Sequence, residues 1–256
     1  MSSSHKARKR FGQNFLNNDH IIQRLLAAIA VKADDHVLEI GPGLAAMTQP
    51  LLAQLSCMEV IELDRDLVAD LKKLSSDQHQ LIIHQGDALK FDFSTSQYPR
   101  RVVGNLPYNI STPLIFHLLN HLENVVDMHF MLQKEVVDKI CAVSGDRNFG
   151  RLSAMVQSQC QTLSLFEIGP ENFSPAPRVN SAFLRLTPHP QPLVPENLKQ
   201  QFAHIVRLAF AQPRKTLANN LKSHIGSDQI QRIELSPSIR PQNLTISDLV
   251  KLAQFL

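Results

Sequence analysis

Asn105-Leu106-Pro107-Tyr108 is the stretch of this 256-residue chain best suited to chemistry on a flat ring that carries an amine. An amide oxygen and a backbone carbonyl can accept both hydrogens of an exocyclic amino group, such as N6 of adenine. A Tyr ring beside them can stack on the base that bears it. Pro107 has no N–H and holds φ near about −65°, so the turn is stiff and its carbonyls point in set directions. The same residues also make an ordinary strand-to-helix turn, since Asn and Pro are common turn formers. What the rest of the chain places beside them separates the two readings.

Arg101-Val102-Val103 reads as a buried strand closed by Gly104, which delivers Asn105 to a strand's carboxyl end. Upstream, His36-Val37-Leu38-Glu39-Ile40 runs into Gly41-Pro42-Gly43-Leu44 and then into a helical pattern through Met47, Leu51, Leu52 and Leu55. Strand, Gly-x-Gly and helix in that order open a doubly wound nucleotide-binding fold. A second strand over 58–62 ends in Glu62, about 20 residues on, where an acid would hold ribose hydroxyls. A third, Leu81-Ile82-Ile83-His84, leads to Asp87, which suits either the amino group of an adenine ring or an Asx turn.

The third glycine of a dinucleotide fingerprint is missing, with Ala46 in its place. A pyrophosphate needs a helix N-terminus with close packing beneath it, and Glu39 would repel it if it faced the pocket. S-adenosylmethionine has no phosphate and needs only close backbone approach and an acid for its ribose. The pattern therefore points away from NAD. All of these residues fall at the carboxyl ends of strands, where open α/β sheets bind ligands.

The composition removes other classes. At 43% hydrophobic residues the chain can bury a full core and a small second one, and a net charge of +3 leaves no global polycation. Cys57, Cys141 and Cys160 lie far apart, and none of the 11 histidines sits in a metal-ligand motif. No apolar run approaches the roughly 18 residues of a membrane helix. The N-terminus is basic without the apolar stretch of a signal peptide, so a cytoplasmic protein without a metal site is expected.

Lys6-Ala7-Arg8-Lys9-Arg10-Phe11-Gly12-Gln13-Asn14-Phe15-Leu16 reads either as a solvated arm or as a phosphate-binding arm whose apolar end docks on the domain. Asn18 or Asp19 caps a helix that buries Ile21, Ile22, Leu25, Leu26 and Ile29. Further along, the patterns predict a helix over 113–119 capped by Ser111 or Thr112, a strand over 125–132, and helices over 134–142 and 151–163. Phe173-Ser174-Pro175-Ala176-Pro177 forms a stiff loop before a last strand over 182–186. Four prolines in 188–195 mark a linker. The predicted organisation is a domain over 1–187 with a basic arm at 1–16, the linker, and a helical domain over 196–256. In the last, Pro213 starts a helix carrying Arg214, Lys215 and Lys222 on its polar side, and Thr245 caps the final helix. Such a basic helical face suits a large folded RNA or is simply solvated.

Taken together, these segments resemble the ribosomal RNA adenine N6-dimethyltransferases, most of all those of the bacterial small subunit. The likeness runs through Arg8–Leu16, Leu38–Leu44, Ile61-Glu62-Leu63-Asp64, Gly86-Asp87-Ala88 and Gly104–Ser111. It continues through Phe130–Val136, Gly150-Arg151-Leu152-Ser153, the proline loop and Arg214-Lys215-Thr216-Leu217, which is nearly the whole chain in order.

The resemblance implies a Rossmann-like S-adenosylmethionine-dependent methyltransferase domain of α/β class with a small C-terminal all-helical domain. It implies that Asn14, Leu16, Gly41, Glu62, Asp87 and Asn105 hold the cofactor. Tyr108 and Phe173 would sandwich the base, and Asn105, Leu106, Pro107 and Tyr108 would form the catalytic turn. The implied substrate is a pair of adjacent adenines in the 3′-terminal hairpin loop of 16S rRNA, within the small subunit or its precursor. The protein would act as a monomer, without membrane or metal, its RNA contacts made by Lys6, Arg8, Lys9, Arg10, Arg214, Lys215 and Lys222. Two positions depart from the family pattern: Ala45 stands where many members have Gly, and Pro213 where a basic residue is common.

Overall fold

The computed structural model of the chain describes residues 14–96 and 98–256. The chain separates into two compact units: one runs to Val137 and resumes over Leu163–Thr187, and the other comprises Asp138–Thr162 and Pro188–Leu256.

The first unit begins with β1 (Phe15–Leu16) and α1 (Asp19–Ile29), then alternates strand and helix: β2 (His36–Ile40), α2 (Thr48–Leu52), β3 (Cys57–Glu62), α3 (Arg65–Leu71) and β4 (Gln80–Gln85). After β5 (Arg100–Asn105) come α4 (Ser111–Leu118), β6 (Val125–Gln133) and α5 (Lys134–Cys141), then α6 (Arg151–Gln157), β7 (Cys160–Ile168), β8 (Phe173–Ser174) and β9 (Ser181–Pro188). The main sheet has the order β4-β3-β2-β5-β6-β9-β7, while β1 and β8 form a separate two-stranded ribbon. β4, β3, β2, β5 and β6 are parallel neighbours, and β9 runs antiparallel to β6. The order reverses between β2 and β5, which makes their shared carboxyl edge a topological switch point.

Burial explains the elements. Asn18 caps α1 by accepting from the N–H groups of His20 and Ile21, and the stripe Ile21, Ile22, Leu25, Leu26 and Ile29 is buried. That stripe packs in a core with Leu51, Met58, Val60, Val103, Met131 and Phe183. β2 and β5 approach so closely that a Cβ on Gly104 would lie 2.6 Å from the Ile40 carbonyl oxygen. At the opposite end of β5, Arg101 donates to Asp127 at 2.7 Å, to Asp35 at 2.9 Å and to the Ile29 carbonyl at 2.6 Å, fastening the end of α1 to two strands. Burial alone would raise the Asp127 carboxyl, but neighbouring His129 and Arg101 outweigh it and hold it at about 2.

The second unit contains α6 with α7 (Lys199–Ala209), α8 (Leu217–Leu221), α9 (Ser227–Arg232) and α10 (Ile246–Ala253). Its core joins Ala142, Phe149 and Ala154 to Val194, Phe202, Ile205, Val206, Leu217 and Leu249. Residues 138–162 therefore group with the C-terminal helices, where the sequence reading leaves them in the first domain. The proline segment is anchored through buried Val194 rather than being a free spacer.

Three local expectations are corrected. The helix over 151–163 stops at Gln157, and Cys160–Ile168 is a strand. Ser111 does not cap α4; it lies inside the helix, with its hydroxyl donating back to the Tyr108 carbonyl at 3.1 Å. Pro213 precedes α8 by several residues, and Thr216 is the cap, accepting from the Asn219 N–H. The final helix is capped by Thr245 in a reciprocal box with Asp248, as expected.

Candidate active site

The switch-point edge opens into a cavity of about 240 Å³. Four parallel strands contribute from their carboxyl ends: Gly41 to Leu44 after β2, Glu62 and Leu63 at β3, Gly86 and Asp87 after β4, and Asn105 to Ile110 from β5. The ribbon supplies Asn14, Phe15 and Leu16. Six residues far apart in sequence and expected to hold a cofactor, Asn14, Leu16, Gly41, Glu62, Asp87 and Asn105, thus line one cavity with Leu106, Pro107 and Tyr108.

The loop after β2 is shaped by backbone geometry. Gly41 and Gly43 have φ of 68° and 58°, the left-handed region that favours glycine. A Cβ at Gly43 would meet the Phe15 ring at 3.1 Å, so the loop and the ribbon meet where only backbone fits. Ala45 also lies left-handed, at φ 65°, where a glycine would sit without the cost a Cβ incurs.

Glu62 is fixed rather than floppy. Its carboxylate accepts from the Asp64 N–H at 2.7 Å and from the Gly43 N–H at 3.2 Å. Burial raises its affinity for a proton, partly offset by these backbone donors and reinforced by Asp64. Glu39 also faces the cavity; its buried carboxyl accepts from the Thr48 hydroxyl at 2.6 Å. Burial, opposed by Thr48 and assisted by Glu62, pushes it up to about 7. Among the described residues lining the cavity there are three carboxylates, Glu39, Glu62 and Asp87, and no Lys, Arg or His. These acidic groups offer a pyrophosphate no cation and can accept from a ligand bearing positive charge, whose presence would also favour the ionised form of Glu39. S-adenosylmethionine, with a sulfonium and an ammonium, meets the requirement. Leu44, Met47 and Leu63 add apolar wall to the cavity.

The Asn105–Tyr108 turn is held from two sides. Asn105 Nδ2 donates to the Asn14 carbonyl at 2.8 Å, which assigns the amide's orientation and leaves its oxygen as the acceptor. The Tyr108 hydroxyl and the buried Ser181 hydroxyl are 2.8 Å apart, anchoring the ring to β9. Burial raises the Tyr108 phenol, with the Ser181 bond opposing.

A sequence profile described as ribosomal RNA adenine dimethylase matches residues 4–256. This chain belongs to the ribosomal RNA adenine dimethylase family. It is 48% identical to the ribosomal RNA small subunit methyltransferase A of Marinomonas sp., over 100% of this chain and 97% of that protein. It is 49% identical to the protein of the same name from Pseudomonas aeruginosa, over 98% and 95%. Among solved structures it resembles a dimethyladenosine transferase from Plasmodium falciparum, with TM-score 0.80 and 25% identity over 93% of this chain and 95% of that one. The 23S rRNA methyltransferase ErmE shares the fold at TM-score 0.76 and 21% identity, over 95% and 99%. The first unit is therefore a Rossmann-like methyltransferase fold.

Not every residue expected of a dimethylase site lies in the cavity. Phe173, expected beside the base, is 4% exposed, pairs with Leu16 and packs in the core. Arg214, Lys215 and Lys222 are exposed in the second unit, around α8. Lys6, Arg8, Lys9 and Arg10 lie outside the described residues. Thr48, Ser181 and Asn172 carry no local motif in the sequence: Ser181 and Asn172 act through partners 73 and 154 residues away, and Thr48 meets Glu39 only once the loop after β2 has folded back. Among the described residues no cluster of His, Cys, Asp or Glu is arranged to hold a metal ion, and no helix is long and apolar enough to cross a membrane.

Proposed function

We propose that the protein transfers methyl groups from S-adenosylmethionine to N6 of two adjacent adenines in the 3′-terminal hairpin loop of 16S rRNA. The products are N6,N6-dimethyladenosines in the small subunit or its precursor, formed in the cytoplasm, and the modification accompanies small-subunit biogenesis. Family membership supports the reaction, and the names of the full-length relatives support the small subunit. The observation that carries the reading is the Asn105 amide. Its nitrogen is tied to the Asn14 carbonyl in a cavity lined by carboxylates, so its oxygen serves as the acceptor.

S-adenosylmethionine, where held, would supply an electrophilic methyl group, with the S–CH₃ bond breaking as the N6–CH₃ bond forms and sulfur leaving as a neutral thioether. Asn14, Leu16, Gly41, Glu62, Asp87 and Asn105 would hold that cofactor. The N6 lone pair is delocalised into the adenine ring, so its nucleophilicity must be drawn out. The Asn105 oxygen and the carbonyl of Leu106 or Pro107 would accept both N6 hydrogens, favouring a pyramidal amine and its developing positive charge. Tyr108 would stack on the extruded base, and positioning lowers much of the remaining barrier. The methylated ammonium is acidic enough to lose its proton without a dedicated base. The exposed Arg214, Lys215 and Lys222, with Lys6, Arg8, Lys9 and Arg10, would contact phosphates.

The test is transfer of a radiolabelled methyl group to unmethylated small subunits, with large subunits and duplex DNA alongside. Label recovered as N6,N6-dimethyladenosine in small-subunit RNA alone is expected. Label in large-subunit RNA or in DNA, or no label at all, would overturn the proposal.

A further inference from the structure

Residues 14–18 form a strap across one side of the cavity, fastened at both ends. At one end the Asn14 carbonyl holds the Asn105 amide at 2.8 Å. Between them, Phe15 and Leu16 pair with Ser174 and Phe173. At the other end sits Asn172, 6% exposed and bonded through its backbone and its side chain. Its backbone oxygen accepts from the Asn17 N–H at 3.1 Å, and its Oδ1 accepts from Asn18 Nδ2 at 2.7 Å. Its own Nδ2 donates to the Gly169 carbonyl at 2.9 Å and to Glu171 Oε1 at 3.0 Å.

Asn18 is simultaneously the cap of α1, accepting from the His20 N–H at 3.0 Å. Asn172 thus joins three things: the start of α1, the turn before the proline loop, and the strap that orients Asn105. A buried amide is costly unless its groups are paired, and here the pairing is complete across a sequence separation of 154 residues. An apolar residue of similar size would fill the same volume, so packing alone does not require an amide at this position.

We propose that Asn172 is a positioning residue for methyl transfer: it locks the strap so that the Asn14 carbonyl holds the Asn105 amide in its working orientation. This rests on the function proposed above. Loss of the lock would leave the cavity lining in place and let the Asn105 amide rotate, and small misplacements of a reacting pair are expensive. The effect should therefore appear in kcat more than in cofactor affinity: Asn14 and Leu16 loosen with the strap, while Gly41, Glu62 and Asp87 stay in place.

The experiment compares wild type, Asn172→Leu and Asn172→Asp by three readouts. These are S-adenosylmethionine binding by calorimetry, kcat per cofactor-binding site on unmethylated small subunits, and amide hydrogen exchange over residues 14–18. Asn172→Leu is expected to lose kcat by at least about 10-fold, to change cofactor affinity by less than about 3-fold, and to exchange faster over the strap. Asn172→Asp keeps the Oδ1 acceptor for Asn18 but turns its other oxygen against the Gly169 carbonyl and Glu171, so it should fall between wild type and Asn172→Leu in both kcat and strap exchange. Faster exchange with kcat unchanged, or unchanged exchange, would overturn the coupling. So would an equal fall in cofactor-binding sites and in turnover per milligram with kcat per site intact, since that reports only misfolding. A wild-type enzyme that labels no small subunits would instead overturn the functional proposal, leaving the exchange readout to judge the strap.

Discussion

Asn105 and Asn14 lie 91 residues apart in sequence and meet through a single hydrogen bond, Asn105 Nδ2 to the Asn14 carbonyl at 2.8 Å. That bond fixes which end of the amide is an acceptor, and it ties the turn after β5 to the segment that leads into β1. An amide free to rotate would present donor or acceptor with nearly equal ease, and only the acceptor suits an exocyclic amine.

Glu39 makes stability depend on pH. Its carboxyl is pushed from 4.5 to about 7, chiefly by burial, so between those values the folded protein holds a proton that the unfolded chain has released. Stability from this group is full below pH 4.5 and falls as pH rises to about 7, by on the order of 3 kcal/mol. In cofactor-free protein, Glu39→Gln should therefore raise the melting temperature above pH 7 by several degrees and give no gain near pH 4.5. Thermal scans across that window check it, and a gain of equal size at both ends would refute the cause.

Gly104→Ala should damage the sheet itself. The added Cβ would lie 2.6 Å from the Ile40 carbonyl oxygen and 3.0 Å from Leu106 Cδ2, and the former is backbone of the neighbouring strand. Overpacking of this kind costs about 1–3 kcal/mol or more. A clear fall in melting temperature together with weakened cofactor binding is expected. An unchanged melting curve would mean that β2 and β5 can part at no cost.

Tyr108 separates ring from hydroxyl. Tyr108→Phe loses only the 2.8 Å bond with Ser181, about 1 kcal/mol, and should lower kcat/KM several-fold at most. Tyr108→Ala removes the stacking surface, about 1–3 kcal/mol per base, and should lower it about 10- to 100-fold. Steady-state methylation of small subunits reads both. Equal losses would assign the role to the anchor and not to the ring.

The basic residues are tested by salt. Replacing Arg8, Lys9 and Arg10 together with Ala should weaken RNA binding and flatten the slope of log affinity against log salt by roughly 0.7–0.9 per lost phosphate contact. The same holds for Arg214, Lys215 and Lys222, which are exposed on the second unit. Binding isotherms from 50 to 200 mM salt measure it. An unchanged slope would return either group to a merely solvated face.

How much could be read beforehand follows from where each signal lives. The strand, Gly-x-Gly and helix around β2, the acid ending β3 and the Asn-Leu-Pro-Tyr turn after β5 are local patterns. Their convergence follows from a parallel sheet with its ligand edge at the strand carboxyl ends. The pattern over 151–163 reads as one helix because Arg151–Gln157 does begin one, so the start of β7 is hidden in it. The strand that follows alternates only weakly, with Gln161, Leu163, Ser164 and Glu167 exposed. The grouping of 138–162 with the C-terminal helices rests on Ala142, Phe149 and Ala154 burying against Phe202 and Ile205, contacts with no sequence periodicity to announce them. Asn172 and Thr48 look like ordinary polar residues until the fold places Asn18 and Glu39 against them.

The central claim, that the Asn105 amide draws out the nucleophile, is tested most directly by Asn105→Ala, assayed in parallel for methyl transfer and for binding to unmethylated small subunits. Loss of the acceptor should cut kcat by about 10²–10³-fold, while subunit affinity stays within about 3-fold of wild type. Equal loss of both would contradict the assignment, as would a variant that still forms N6,N6-dimethyladenosine at the wild-type rate.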